Sequence, residues 1–328
     1  MRFRRRVPGH GPFEGRTALV TGSSRGLGLL IAGELADRGC RVMLCGRDVR
    51  SLAEAERSLH GRPGEVASTV CDLVAPDAPM QLLTAVRERF GDVDILVNNA
   101  GIIQVGPLAA VQEEDFRRAW ETMTMAPLRL VFAVLPAMRA RRAGIVVNIT
   151  SAGGRIPAPH LLPYVTAKFA ATGLSEGLRA ELAADGIQVT TVLPGLMRTG
   201  SHTAAEFAGE AAREYAWFAS AASLPLLSMD ARRAARAIVR AAERGHAELV
   251  LTPAAKAATL VHGIAPATFD RVLALAAEWL PRAGAVPEHG VSGARAAARH
   301  GRDSVVAKLT TLGDLAGPRY NEPPTHDA

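Results

Sequence analysis

Thr17-Ala18-Leu19-Val20-Thr21 leads without a break into Gly22-Ser23-Ser24-Arg25-Gly26-Leu27-Gly28, and an apolar stretch begins at Leu29. A short apolar run, a glycine-rich turn and a helical pattern in that order are what a parallel strand needs to deliver the chain to a helix N-terminus. In such a turn Gly22 permits the tight bend. Gly26 and Gly28 let the backbone come close to a pyrophosphate, and the unpaired N–H groups of the helix face its charge. With 31 glycines in the chain, the turn decides the fold only if its surroundings agree.

They do agree. From Arg16 onward, runs rich in Val, Ile and Leu alternate with longer amphipathic stretches, the pattern of a parallel sheet covered by helices on both faces. The predicted strands are Thr17–Thr21, Arg41–Cys45, Val66–Cys71, Asp94–Asn98, Gly144–Thr150, Ile187–Leu193 and Glu248–Thr252. Gly39 after the helical stretch Leu29–Arg38, and Gly186 after Ala167–Asp185, read as C-terminal caps. The expected fold class is α/β, a doubly wound Rossmann-type domain over 15–252 with a seven-stranded, mainly parallel sheet. After Pro253 the alternation stops. One apolar helix near Ala267–Leu280 and a Gly-, Arg- and Pro-rich tail predict a C-terminal extension over 253–328, not a second domain. Residues 1–14 read as a basic, flexible tail.

Composition narrows the function. Of 328 residues 48% are hydrophobic, enough for a large core. The net charge of +6 owes much to Arg2, Arg4, Arg5 and Arg6. No aromatic residues interleave a basic stripe, so no nucleic-acid partner is expected. Cys40, Cys45 and Cys71 are odd in number and lack metal-ligand spacing, which predicts small buried residues and neither metal nor disulfides. The N-terminal arginines are not followed by the apolar run of a secretory signal, so the expected compartment is the cytoplasm. Lys256, His262, Asp270, Arg271 and Pro266 break the apolar segment Ala257–Leu280 before it could span a bilayer, leaving membrane-surface contact as an alternative to packing on the domain.

Three further segments join the turn: Asn98-Asn99-Ala100-Gly101 after the fourth strand, Ser151 placed 13 residues before Tyr164-x-x-x-Lys168, and Pro194-Gly195. Together they resemble the short-chain dehydrogenase/reductase family over roughly Gly15 to Thr252. The chain has only three tyrosines and three lysines, at 168, 256 and 308. A Tyr-x-x-x-Lys pair would then arise by accident about 0.03 times. Almost every other basic residue is arginine, so an amine is wanted at 168.

Residues four apart on a helix share a face, which sets Tyr164 and Lys168 side by side. A phenol of ordinary pKa about 10 is a poor acid/base at neutral pH, and a neighbouring ammonium favours the phenolate. The resemblance implies Tyr164 as catalytic acid/base, Lys168 as its support and a ligand of the nicotinamide ribose, and Ser151 as the hydrogen-bond donor to the substrate oxygen. It implies a cofactor site of Thr21, Gly22, Ser24, Arg25, Gly26, Leu27 and Gly28 in the turn. Asp72 and Leu73 would meet the adenine, Asn99, Ala100 and Gly101 would leave room for the cofactor, and Pro194, Gly195 and Thr199 would lie by the carboxamide. Asn98 would brace the central sheet.

At the end of the second strand, NAD would call for a carboxylate on the ribose hydroxyls. Asp48 lies 20 residues after Gly28, but a strand counted from Arg41 ends at Cys45-Gly46, so Gly46 takes the acidic place and Asp48 caps the next helix. Arg25 and Arg47 can both reach a 2′-phosphate, which resembles NADP-preferring members and predicts NADP over NAD. One departure stands out. Met123 occupies the place of an asparagine that in many members helps position a relay water, while Pro127 lacks the N–H for the Met123 carbonyl. That carbonyl is expected to hold the water near Lys168.

For the substrate, Ile156, Leu161, Leu162, Phe207, Tyr215, Trp217 and Phe218 form an apolar set that predicts an apolar alcohol or ketone. The overall expectation is an NADP(H)-dependent oxidoreductase, a homodimer or homotetramer like related proteins. A cofactor-binding protein with little turnover, and a surface-docked protein working through its C-terminal extension, are the alternatives.

Overall fold

The strand Thr17–Thr21 is buried at all five positions and pairs on both sides, with Arg41–Gly46 on one and Ile95–Asn98 on the other. In this computed structural model, which describes residues 11–224, 228–300 and 304–322, it belongs to a seven-stranded sheet. The order across the sheet is Glu248–Val250, Ile187–Leu193, Gly144–Ile149, Ile95–Asn98, Thr17–Thr21, Arg41–Gly46 and Val66–Val70. Every neighbouring pair is parallel. All seven predicted strands are present, two with the predicted ends and five with one end differing by one or two residues. Strand order reverses between the first and fourth strands, which opens a crevice beyond their C-terminal ends, where ligands of such sheets bind.

Two apolar layers hold the sheet. On one face Ala32 and Leu35 from helix Gly26–Ala36 and Ala234, Ala235 and Ile238 from helix Ala231–Glu243 pack on Ala18, Val20 and Val97. On the other, Leu82 and Val86 from helix Ala78–Phe90 and Leu130, Val134 and Met138 from helix Ala126–Ala140 pack on Leu19, Leu96 and Val146. Both predicted caps are left-handed glycines, with Gly39 N–H donating to Ala36 O at 2.9 Å and Gly186 N–H to Ala183 O at 3.2 Å.

The two ends of the chain differ from expectation. Arg2, Arg4, Arg5 and Arg6 lie outside the described residues, but 11–14 is no loose tail. Phe13 is fully buried in the core and its carbonyl accepts from Cys40 Sγ. Beyond 253, where one helix near Ala267–Leu280 was expected, helices run over Pro253–Ile264, Pro266–Ala277, Gly293–Ala298 and Val305–Arg319, with a strand at Glu288–Ser292. Pro253 and Pro266 sit at helix starts, where a missing N–H costs nothing. The strand takes its antiparallel partner, Glu206–Gly209, from far back in the chain, a pairing no local pattern announces. Helix Val305–Arg319 lies against helix Ala211–Ser223 and the preceding loop, with His202 Nε2 2.9 Å from Asp314 Oδ1.

Candidate active site

Ser151 follows the strand Gly144–Ile149 in extended conformation, and its hydroxyl accepts from Gly153 N–H at 3.0 Å. Tyr164 and Lys168 lie in the first turns of helix Leu162–Leu182, which begins with Pro163 near its N-terminus. Lys168 is buried, donates from Nζ to Ile149 O at 2.9 Å and stands 5.7 Å from the centroid of the Tyr164 ring. The three residues are thus brought together where two sheet elements end.

Electrostatics here run against the simplest expectation. Burial pushes the Tyr164 phenol above its ordinary value, while a hydrogen bond with Ser151 pulls the other way. Burial also brings the Lys168 ammonium down to about 8. An amine near 8 still carries its charge at neutral pH, and in a buried site that charge acts on a neighbouring phenolate more strongly than it would in water.

The glycine turn is braced from behind. Thr21 Oγ1 accepts from the N–H groups of Asn99 (2.9 Å) and Ala100 (3.2 Å), and Asn99 Nδ2 donates to the carbonyls of Thr21 and Gly22, each at 3.0 Å. A Cβ on Gly28 would stand 2.2 Å from Gly22 O, and one on Gly22 would stand 2.8 Å from Ala100 Cα, so neither position accepts a side chain. Asn98 Nδ2 donates to Asn148 Oδ1, Asn148 Nδ2 to Ser175 Oγ, and Ser175 Oγ meets Thr191 Oγ1, a buried polar chain binding two strands, a helix and a third strand.

A cleft of about 1270 Å³ joins the turn to Tyr164. Every residue of the expected cofactor set lines it except Thr21, which is buried behind the turn. Ser24, Arg25, Arg47, Asp72, Leu73, Asn99, Ala100, Gly101, Pro194, Gly195 and Thr199 are all among its lining residues. The register of the second strand is as read from sequence. The strand runs to Gly46, and Asp48 caps the following helix by accepting from Ser51 N–H at 2.7 Å. The glycine turn at a helix N-terminus, with Arg25 and Arg47 lining the same cleft, fits the phosphates of a nicotinamide dinucleotide.

Of the apolar set named for the substrate, Ile156, Leu161, Trp217 and Phe218 line the cleft. Phe207 and Tyr215 do not. They are buried side by side, ring centroids 5.6 Å apart, in the small core between helix Ala211–Ser223 and strand Glu206–Gly209. Leu162 points to solvent. Sequence reasoning missed Ile102 and Ile103 directly after the Asn-Asn-Ala-Gly motif, and Leu273, Ala276 and Leu280 from the C-terminal region. The first pair was findable from its place beyond a strand's C-terminal end, but the others carried no local signal.

Met123 is buried against Ala119, Ala167 and Tyr164, in a helix that widens to π-type over Glu121–Met125 just before Pro127. A Cβ on Gly101 would lie 3.4 Å from Met123 Sδ and 3.8 Å from Lys168 Nζ, so both side chains border this glycine.

The sequence profile of the short chain dehydrogenases matches residues 16–208, and the chain belongs to this family. It is an oxidoreductase of the kind that interconverts alcohols and carbonyl compounds with a nicotinamide cofactor. A granaticin polyketide synthase putative ketoacyl reductase from Streptomyces violaceoruber is 39% identical over 184 residues, covering 56% of this chain and 68% of that one. Among solved structures, a short-chain dehydrogenase from Streptomyces avermitilis is 32% identical with a TM-score of 0.68, covering 80% of this chain and 95% of its own. An L-sorbose reductase from Gluconobacter frateurii, complexed with NADPH and L-sorbose, is 27% identical with a TM-score of 0.65, covering 73% and 95%.

Proposed function

We propose that this protein is an NADP(H)-dependent oxidoreductase that interconverts an apolar alcohol and the corresponding carbonyl compound, with Tyr164 as acid/base. The observation that carries the reading is that one cleft is lined by Arg25 and Arg47, by Ser151, Tyr164 and Lys168, and by the apolar Ile102, Ile156, Leu161, Trp217 and Phe218. The NADPH bound by the related sorbose reductase supports the cofactor.

The cofactor supplies or accepts the hydride at the substrate carbon. In reduction Tyr164 gives its phenolic proton to the substrate oxygen, and in oxidation it takes the proton back. Ser151 donates a hydrogen bond to that oxygen and so favours the charge that develops on it. Lys168, fixed by Ile149 O, holds the nicotinamide ribose and adds its positive charge beside the phenol. The Met123 carbonyl, next to Pro127, holds the water that returns a proton toward Lys168. Residues 15–252 form the catalytic domain and 253–328 an extension that adds Leu273, Ala276 and Leu280 to the cleft. The protein works in the cytoplasm as a homodimer or homotetramer.

A panel of ketones and aldehydes reduced with NADPH tests the substrate class. Apolar ketones should show the highest kcat/KM. A preference for charged or polyhydroxylated carbonyl compounds would contradict it.

A further inference from the structure

We propose that Tyr320–Glu322 is a strap that closes the pyrophosphate end of the cleft, and that NADPH binds by displacing it. The proposal rests on the reading of this cleft as an NADP(H) site.

The strap engages the glycine turn at three points. Gly26 N–H, the first free donor of its helix, donates to Tyr320 O at 2.8 Å. Asn321, with a left-handed backbone at φ 58°, donates from Nδ2 to Ser24 O at 2.8 Å and to Ser51 O at 2.9 Å. Glu322 lies only 6% exposed, with its carboxylate over Gly26. Its Oε1 is 2.5 Å from the point where a Cβ on Gly26 would stand. The space that glycine leaves free for a pyrophosphate is thus filled by the chain's own carboxylate.

Helix Val305–Arg319 anchors the strap. Glu322 N–H donates to Gly317 O at 2.9 Å, and the helix approaches so closely that a Cβ on Gly200 would stand 2.4 Å from Gly317 Cα. The Tyr320 ring packs on Leu30, Ala231 and Ala316, with the Arg232 guanidinium 5.7 Å above it.

The fit at the tip is imperfect, which is what a displaceable element requires. Glu322 Oε2 is buried and meets no hydrogen-bond partner among the described residues. Burial pushes this carboxyl up to about 7 despite the opposing pull of Arg25. A buried acceptor without a donor costs free energy that a solvated one does not. A pyrophosphate offers the same cradle more charge and more acceptor oxygens. It cannot share the space with the carboxylate, so the apparent affinity for NADPH is its intrinsic affinity reduced by the fraction of molecules with the strap open.

The test uses the full chain and its Asn321→Ala and Glu322→Ala variants, with NADPH titrated into each and hydrogen exchange followed in the wild type. Losing the two Asn321 hydrogen bonds should release the strap, so NADPH should bind at least about fivefold tighter. In the wild type, saturating NADPH should speed exchange of the Glu322 amide, which follows the segment that leaves the cleft. Equal or weaker NADPH binding in both variants would overturn the strap and leave the cofactor reading standing. So would continued protection of the Glu322 amide in the NADPH complex. If neither wild type nor variants bind NADPH, the cofactor reading falls and the strap with it.

Discussion

At one end of the cleft, Lys168 is held by Ile149 and Ser151 by Gly153, partners that lie within 19 residues along the chain. At the other, the carbonyl of Ser24 is met by Asn321, a partner 297 residues away. The first end is set by the sheet and one helix before any ligand arrives. The second is closed by a segment that leaves the sheet, runs through four helices among the described residues and returns. Chemistry that needs fixed geometry sits on rigid elements, whereas the end that must admit a large anion carries the removable contact.

Changes at the rigid end should have the larger effects. On the proposed mechanism Lys168→Met removes both a ribose ligand and the charge beside Tyr164, so kcat/KM should fall by more than about 10²-fold, with a weaker NADPH Kd contributing. Unchanged NADPH affinity would remove the ribose role and make the two ends independent. The same residue gives the wild type a pH signature. Lys168 is held at about 8 against 10.5 in the unfolded chain, so between pH 8 and 10 the unfolded state binds more protons there. Stability against denaturant should therefore rise with pH across that window, the penalty being fully present below pH 8. Lys168→Met should abolish the rise, and an identical slope in the variant would contradict the burial of a charged amine.

The far end should respond to charge and more mildly. Arg47 is exposed at the strand end, so Arg47→Ala should weaken NADPH about tenfold and leave NADH largely unaffected. Gly46→Asp should extend this by setting a carboxylate against the 2′-phosphate. A Cβ at Gly46 would stand 3.2 Å from the Ser24 side chain, a contact a small hydroxyl can relieve. Should Arg47→Ala weaken neither cofactor, this end does not read the extra phosphate.

How much of this was written in the chain follows the same division. Thr17–Gly28, the Asn-Asn-Ala-Gly segment and the Ser151, Tyr164 and Lys168 set announce themselves because each rests on local periodicity, a turn or an i, i+4 spacing. Even the register that makes Gly46 the strand end and Asp48 a helix cap was countable. Phe207 and Tyr215 misled because an aromatic residue has the same appearance whether it lines a cleft or fills the small core behind it. Leu273, Ala276, Leu280 and Glu322 were silent because their place is decided by tertiary contacts of an alanine-rich region whose helices expose much apolar surface, including Leu260, Ile264 and Trp279. The pKa pattern also needed three dimensions. Spacing set the amine beside the phenol, but only burial determined how much charge it keeps.

The central claim is that one cleft binds NADPH and carries its chemistry through Tyr164, and its most direct test measures binding and turnover together in wild type and Tyr164→Phe. With the best ketone of the panel, the variant should bind NADPH as tightly as the wild type while its kcat falls by at least about 10²-fold. A variant that turns over as fast as the wild type, with NADPH still bound, would contradict the account.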